Sequence, residues 1–71
     1  MKIKELKKND IFLFFDKENY LSELYQIKDV YVEKNYNEVK ALICLNLEND
    51  KIILFAGGIL KNDVELLIKK F

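Results

Sequence analysis

Leu24–Phe55, LYQIKDVYVEKNYNEVKALICLNLENDKIILF, decides the fold. It reads as three strands joined by two tight turns, a β-meander. Glu38 to Leu47 alternates cleanly, with Val39, Ala41, Ile43, Leu45 and Leu47 on one face, the period of two that a strand with one buried face shows. Leu24 to Glu33 breaks that alternation. Tyr25 and Ile27 are in one phase, Val30 and Val32 in the other. One extra residue near Lys28-Asp29 reconciles them, which is what a β-bulge does while bending its strand. The expected register then pairs Val32 with Val39, Val30 with Ala41, Ile27 with Ile43 and Tyr25 with Leu45. A one-residue slip would turn all of these toward water.

The turn between these strands falls in Lys34-Asn35-Tyr36-Asn37, with Glu33 opposite Glu38. The second turn is placed at Asn49-Asp50, flanked by Glu48 and Lys51, an opposite-charge cross-strand pair. The third strand, Lys51 to Phe55, then sets Leu47 against Ile52 and Leu45 against Leu54 on the core side. Cys44 with Phe55, and Asn46 with Ile53, fall on the other side.

Outside the meander, Ile11 to Phe15 is continuously apolar (Ile11, Phe12, Leu13, Phe14, Phe15). Its length and aromatic content favour a strand apolar on both faces. Met1 to Leu6 reads as a short strand or extended arm, with a helical turn as the alternative. A turn follows over Lys7-Lys8-Asn9-Asp10, where Asn9 tolerates the left-handed conformation. Asp16 to Ser22 is a polar loop around Tyr20. Ala56-Gly57-Gly58 is a structural turn before a ligand loop, because it lacks the spacing of any phosphate-binding motif. Val64 to Phe71 carries two patterns. Val64, Leu66 and Ile68 alternate as a strand, whereas Val64, Leu67, Ile68 and Phe71 have helical spacing, with Asn62 and Glu65 as a capping-box start. The strand is preferred over Val64 to Ile68, since the meander needs a closing partner. A short C-terminal helix is the alternative.

The 71 residues suffice for one small domain over 1–71, and with 51% hydrophobic residues its core is dense. Twelve lysines balance twelve acidic residues, and arginine, histidine and tryptophan are absent. A neutral chain without arginine is poorly suited to duplex nucleic acid, where neutralising the phosphates supplies most of the affinity. A single cysteine, Cys44, permits no internal disulfide and points to a reducing cytoplasm. The longest apolar run, Ile52 to Leu60, is too short to span a bilayer as a helix.

Five short strands, one of them bent, suit a small barrel. The segments Glu5–Phe12 (ELKKNDIF), Tyr25-Gln26-Ile27, Asn46–Ile52 (NLENDKI) and Val64–Ile68 (VELLI) together resemble small SH3-like β-barrel proteins of phages and low-GC bacteria. Asn9 stands where that pattern has glycine. The resemblance implies a mainly β, five-stranded SH3-like barrel built on a central bent meander. It also implies an accessory protein that inhibits a host enzyme or defence system.

No catalytic or metal-binding constellation emerges. Cys44 lacks a histidine to activate it and reads as packing. Zinc binding is excluded with one cysteine and no histidine. Asp10, Asp16, Glu18, Asp29 and Asp50 sit in or near turns, where carboxylates are common, and no spacing brings two together as an acid/base pair. The expectation is therefore a non-enzymatic, cofactor-free protein-binding module that self-associates. Its contact patch is expected at Phe12, Phe14, Cys44, Ile53 and Phe55, on the faces turned away from the core. The terminal segments, Met1 to Leu6 and Ile59 to Phe71, compete as a cover for that patch. Two other readings compete with this function. In one, Gly57, Gly58, Tyr20 and Tyr36 form a loop for a nucleotide or other small ligand. In the other, Tyr20, Tyr25, Tyr31 and Tyr36, with Phe12, Phe14 and Phe55 and the neighbouring Lys28, Lys34, Lys40 and Lys51, stack single-stranded nucleic acid.

Overall fold

The computed structural model describes residues 1–68, with only the backbone of Ile68. Its strands are β1 (Ile11–Asp16), β2 (Leu21–Glu33), β3 (Glu38–Asn46), β4 (Ile52–Ala56) and β5 (Glu65–Ile68). All pair antiparallel in one sheet of order β4-β3-β2-β1-β5. The chain is mainly β. Among the described residues the sheet does not close into a barrel, and β4 and β5 are its edges. It does curl. Phe12 and Phe14 on β1 reach Phe55 on β4 at ring-centroid distances of 5.9 and 5.5 Å, although β2 and β3 lie between those strands.

The three hairpins share one turn geometry. Their loops run 17–20, 34–37 and 47–50, and each ends on a left-handed residue: Tyr20 (φ 54°), Asn37 (φ 52°) and Asp50 (φ 60°). Asn and Asp accept that region at little cost. The last loop is wider than the expected two residues, because the Asn46 N–H donates to the Lys51 carbonyl at 2.8 Å and closes the hairpin there. Observed β3–β4 pairs are accordingly Leu45 with Ile52, Ile43 with Leu54, Cys44 with Ile53 and Leu42 with Phe55. The loop over Lys7–Asp10 turns through Asn9 at φ 77°. Its buried Asp10 accepts a hydrogen bond from the Lys7 N–H at 2.8 Å.

The expected bulge in β2 is present, with Lys28 unpaired between Ile27, opposite Cys44, and Asp29, opposite Ile43. A second bulge is present that the alternation did not reveal. Val32 pairs with Val39 but Tyr31 pairs with Ala41, so Lys40 is extra on β3. One bulge on each strand cancels in register. Ile27 therefore meets Cys44 rather than Ile43, and Tyr25 meets Asn46 rather than Leu45.

That cancellation inverts the expected interior. The core consists of Ile3, Leu6, Phe12, Tyr25, Ile27, Leu42, Cys44, Phe55 and Leu60. Phe12, Cys44 and Phe55, expected on a contact patch, are buried, and Phe14 and Ile53 are half-buried against them. The patch Phe12, Phe14, Cys44, Ile53 and Phe55 is thus the inner face. The reason is volume. Phe12, Phe14, Tyr25 and Phe55 interlock with centroids 5.1 to 6.4 Å apart, one pair stacked and four edge-on, geometries that ring quadrupoles favour. Ala41, Ile43 and Leu45 face the other way and are only half-buried.

Two 3-10 turns cover the mouth of the curl. Ile3–Glu5 seats Ile3 and Gly57–Lys61 seats Leu60 in the core. Met1–Leu6 therefore forms the helical turn given as the alternative, over Ile3–Glu5, rather than a strand. Only Lys2 bridges to Asp63, with the Ile3 N–H donating to the Asn62 carbonyl at 3.0 Å. At the other end the strand reading of Val64–Ile68 holds from Glu65, and the helical pattern does not form there; Phe71, which that pattern needed, lies outside the described residues.

Asn46 is, beside Asp10, the other buried polar residue of the interior. Fully buried, it donates from Nδ2 to Glu23 Oε2 at 2.7 Å. Its Oδ1 accepts from the Glu48 and Asn49 N–H groups at 2.8 and 3.3 Å. One amide thus ties β2 to the β3–β4 loop.

Candidate functional site

With the aromatic face consumed, the outer face of the sheet carries the apolar excess. Cross-strand pairing lines up Ile52, Leu45, Gln26 and Ile11 in one row, from β4 to β1. Leu54 and Ile43 form a second row, Leu24 and Leu13 a third. The rows are uncharged until they reach Asp29 at the β2 bulge and Glu65 on β5. Exposure rises toward β4, where Ile52 is 63% and Leu54 61% exposed. Phe15, Leu47 and Leu67 are also exposed. A connected apolar sheet face of this kind is what partner contacts use.

The β4 edge adds backbone to this surface. Because the Asn46 N–H donates to the Lys51 carbonyl, alternation makes Cys44–Ile53 and Leu42–Phe55 the hydrogen-bonded pairs further along. Ile53 and Phe55 thus use their backbone groups inward, on β3. Ile52 and Leu54 direct theirs off the sheet, and their side chains project from the outer face. No lysine, proline or bulge blunts the edge between Ile52 and Ala56, the usual protections of an edge strand.

The remaining candidates separate. Gly57, in the left-handed region at φ 72°, borders a shallow hollow with Lys4, Glu38, Lys40, Leu60 and Lys61. Gly58, Tyr20 and Tyr36 do not line that hollow. Tyr20 and Tyr36 stand exposed in separate hairpin loops. Tyr25 is in the core, where burial raises its phenol pKa, partly offset by a hydrogen bond with Asn46. The four tyrosines therefore share no stacking platform. A larger open hollow between the β1–β2 loop and residues 61–63 is lined by Asp16, Lys17, Glu18, Lys61 and Asp63, charges of both signs. Asp16 lies below the usual carboxylate range because it accepts from the Asn19 side chain at 2.7 Å and the Glu18 N–H at 3.0 Å. Burial pushes the Cys44 thiol up to about 12, which leaves it an unreactive thiol at neutral pH. Among the described residues no group of three or more His, Cys, Asp or Glu is placed to hold a metal ion. Among them, too, no helix is long and apolar enough to cross a membrane.

Compared with models of known families, with characterised proteins and with solved structures, the chain matches none.

The outer face escaped the sequence reading although its residues were in view. Ile43, Leu45, Ile52 and Leu54 were grouped together correctly and assigned to the wrong side. The signal that would have reversed the assignment is ring volume. Three aromatic side chains, Phe12, Phe14 and Phe55, fall on the opposite phase, and a core takes its largest side chains first.

Proposed function

We propose that this protein is a non-enzymatic binding module that acts by occupying a protein surface with the outer face of β1–β4. The observation that carries the reading is the uncharged array centred on Ile43, Leu45, Ile52 and Leu54, on a sheet whose aromatic residues are already used inside. The SH3-like resemblance agrees with it. The strand order, the long bulged β2 and the 3-10 turn ahead of β5 support an opened version of that architecture. The resemblance implies an accessory protein that inhibits a host enzyme or defence system, and occupation of a protein surface suits that role. A reducing cytoplasm suits its lone thiol.

The test is quantitative affinity capture from the native host lysate, with wild type beside Leu13→Lys and Leu24→Lys. These two substitutions change the half-buried middle of the outer face. A protein retained by wild type and lost by both folded variants supports the reading. An identical captured set with all three proteins refutes it.

One observation favours a second reading. Lys4, Lys40 and Lys61 border the same hollow as Gly57, so a small anion such as a nucleotide has cations to meet there. A thermal-shift screen decides it, since a ligand that binds the folded state raises the melting temperature by mass action. No shift with mono-, di- or cyclic nucleotides at millimolar concentration removes it.

A further inference from the structure

We infer that the β4 edge pairs antiparallel with the β4 edge of a second copy of this chain, joining two sheets about a two-fold axis. This rests on the outer-face reading for its side-chain contacts, whereas the β4 backbone edge, paired among the described residues only with β3, supports it directly.

Alternation directs the N–H and C=O of Ile52, Leu54 and Ala56 off the sheet, and the pairing uses Ile52 and Leu54. A two-fold through Ile53 sets Ile52 of one copy opposite Leu54 of the other, twice over. Each of those four residues then donates and accepts one ladder hydrogen bond. The same register lays Ile52 against Leu54 on the outer face, covering the two most exposed aliphatic side chains of that face. On the inner face it brings the two Ile53 side chains together at the rim of the aromatic core, continuing it across the axis.

Charge permits the pairing. Ile52–Ala56 carries none, and the nearest charge, Lys51, falls opposite Phe55 of the other copy. The two Lys51 residues are therefore four residues apart along the ribbon, about 14 Å at strand spacing. That exceeds the screening length of roughly 10 Å at 0.1 M salt.

A second copy fits better than pairing of β4 with β5, the other edge. β5 carries the charged Glu65, and charge blunts an edge. Head-to-tail β4–β5 contacts would also propagate as an open fibre, whereas the two-fold closes after two copies.

The experiment is multi-angle light scattering on wild type, Leu54→Pro and Ile52→Lys from micromolar to millimolar concentration, with hydrogen exchange read at the Ile52 and Leu54 amides. Leu54→Pro removes an N–H that points away from β3, so the chain's own sheet survives. Circular dichroism checks this, and Ile52→Lys, at a solvent-exposed position, serves if it does not. The expected result is a wild-type mass that doubles with concentration and at least a tenfold slowing of both amides in the dimer. Both variants stay monomeric. A wild type that is monomeric throughout overturns the inference, as does a dimer indifferent to both substitutions or amides that exchange fast in the associated state. An interface on an extended peptide from another protein would appear as monomers that nonetheless lose captured partners on Leu54→Pro; that too overturns it. Capture that depends on Leu13 and Leu24 survives such a failure, so the two readings fall separately.

Discussion

Adjacent residues on β4 offer the sharpest test of which face is inside. Phe55 is 3% exposed, and its ring meets Tyr25, Phe14 and Phe12 edge-on at 5.1, 5.5 and 5.9 Å. Leu54 is 61% exposed on the opposite face. Truncating a buried phenylalanine to alanine costs about 3–5 kcal/mol. A domain of this length has roughly 4–11 kcal/mol of stability in total. Phe55→Ala therefore leaves little or no folded protein, and Phe55→Leu is the useful variant. It keeps an aliphatic filler and loses three ring pairs at about 0.5–1.5 kcal/mol each, so about 2 kcal/mol or more is expected. Leu54→Ala removes a side chain that is only about two-fifths buried. Scaling the roughly 1.5–3 kcal/mol for full burial gives about 1 kcal/mol or less. Urea unfolding at low micromolar protein, followed by far-ultraviolet circular dichroism, reads both. With a slope near 1 kcal/mol/M, the Phe55→Leu midpoint falls by about 2 M and the Leu54→Ala midpoint by under about 1 M. Equal shifts, or a larger one at Leu54, would mean that the outer face is the true interior and would refute both the core assignment and the surface built on it.

Four further outcomes are expected. Asn46→Asp sets a second carboxylate against Glu23, where an amide now donates at 2.7 Å. It should cost about 2–3 kcal/mol at neutral pH. Paired carboxyls hold a proton more tightly folded than unfolded, so the deficit shrinks as pH falls, and a pH-independent loss in urea melts would contradict this. Tyr20 holds φ 54° with its side chain 82% exposed; Tyr20→Asn relieves a left-handed cost of about 1–2 kcal/mol and should raise the melting temperature, and a lower one would show that the ring makes a stabilising contact. The Cys44 thiol, buried and pushed up to about 12, should react with a disulfide reagent only as fast as the chain unfolds; stoichiometric labelling of native protein within the mixing time would refute its burial. Asp16, held low first by the Asn19 side chain and then by the Glu18 N–H, favours the folded state above the carboxylate's unfolded pKa. That contribution disappears as pH falls through its lower folded value. Asn19→Ala should move its titration up in a carbon-detected NMR experiment, and an unmoved curve would assign the shift elsewhere.

Much of the candidate surface was legible as a grouping and illegible as a location. Ile43 with Leu45 and Ile52 with Leu54 were placed on a common face because strand alternation is a local property of the backbone. The β3–β4 pairs differ from expectation by two residues, since the hairpin closes at Asn46 and Lys51. A shift of two preserves faces, so that grouping survived. The lone bulge at Lys28 was also readable, from a phase change among Tyr25, Ile27, Val30 and Val32. Lys40 gave no such sign, because β3 alternates without interruption on either side of it and its bulge is visible only against Tyr31 and Val32 across the ladder.

The chain by itself determined the local features: which stretches are strands, where Asn9, Asn37 and Asp50 reverse direction, and which side chains travel together. These follow from φ preferences and a two-residue period, both short-range. Tertiary structure alone decided which of two apolar faces is sealed. Both phases of β1 and β4 are hydrophobic, and the bulge at Lys40 reverses the phase of β3, so alternation alone carries no sign. The sign came from long-range packing: four rings that fill one concave side, the opposed bulges at Lys28 and Lys40, and Ile3, Leu6 and Leu60 brought over the mouth from the ends of the chain.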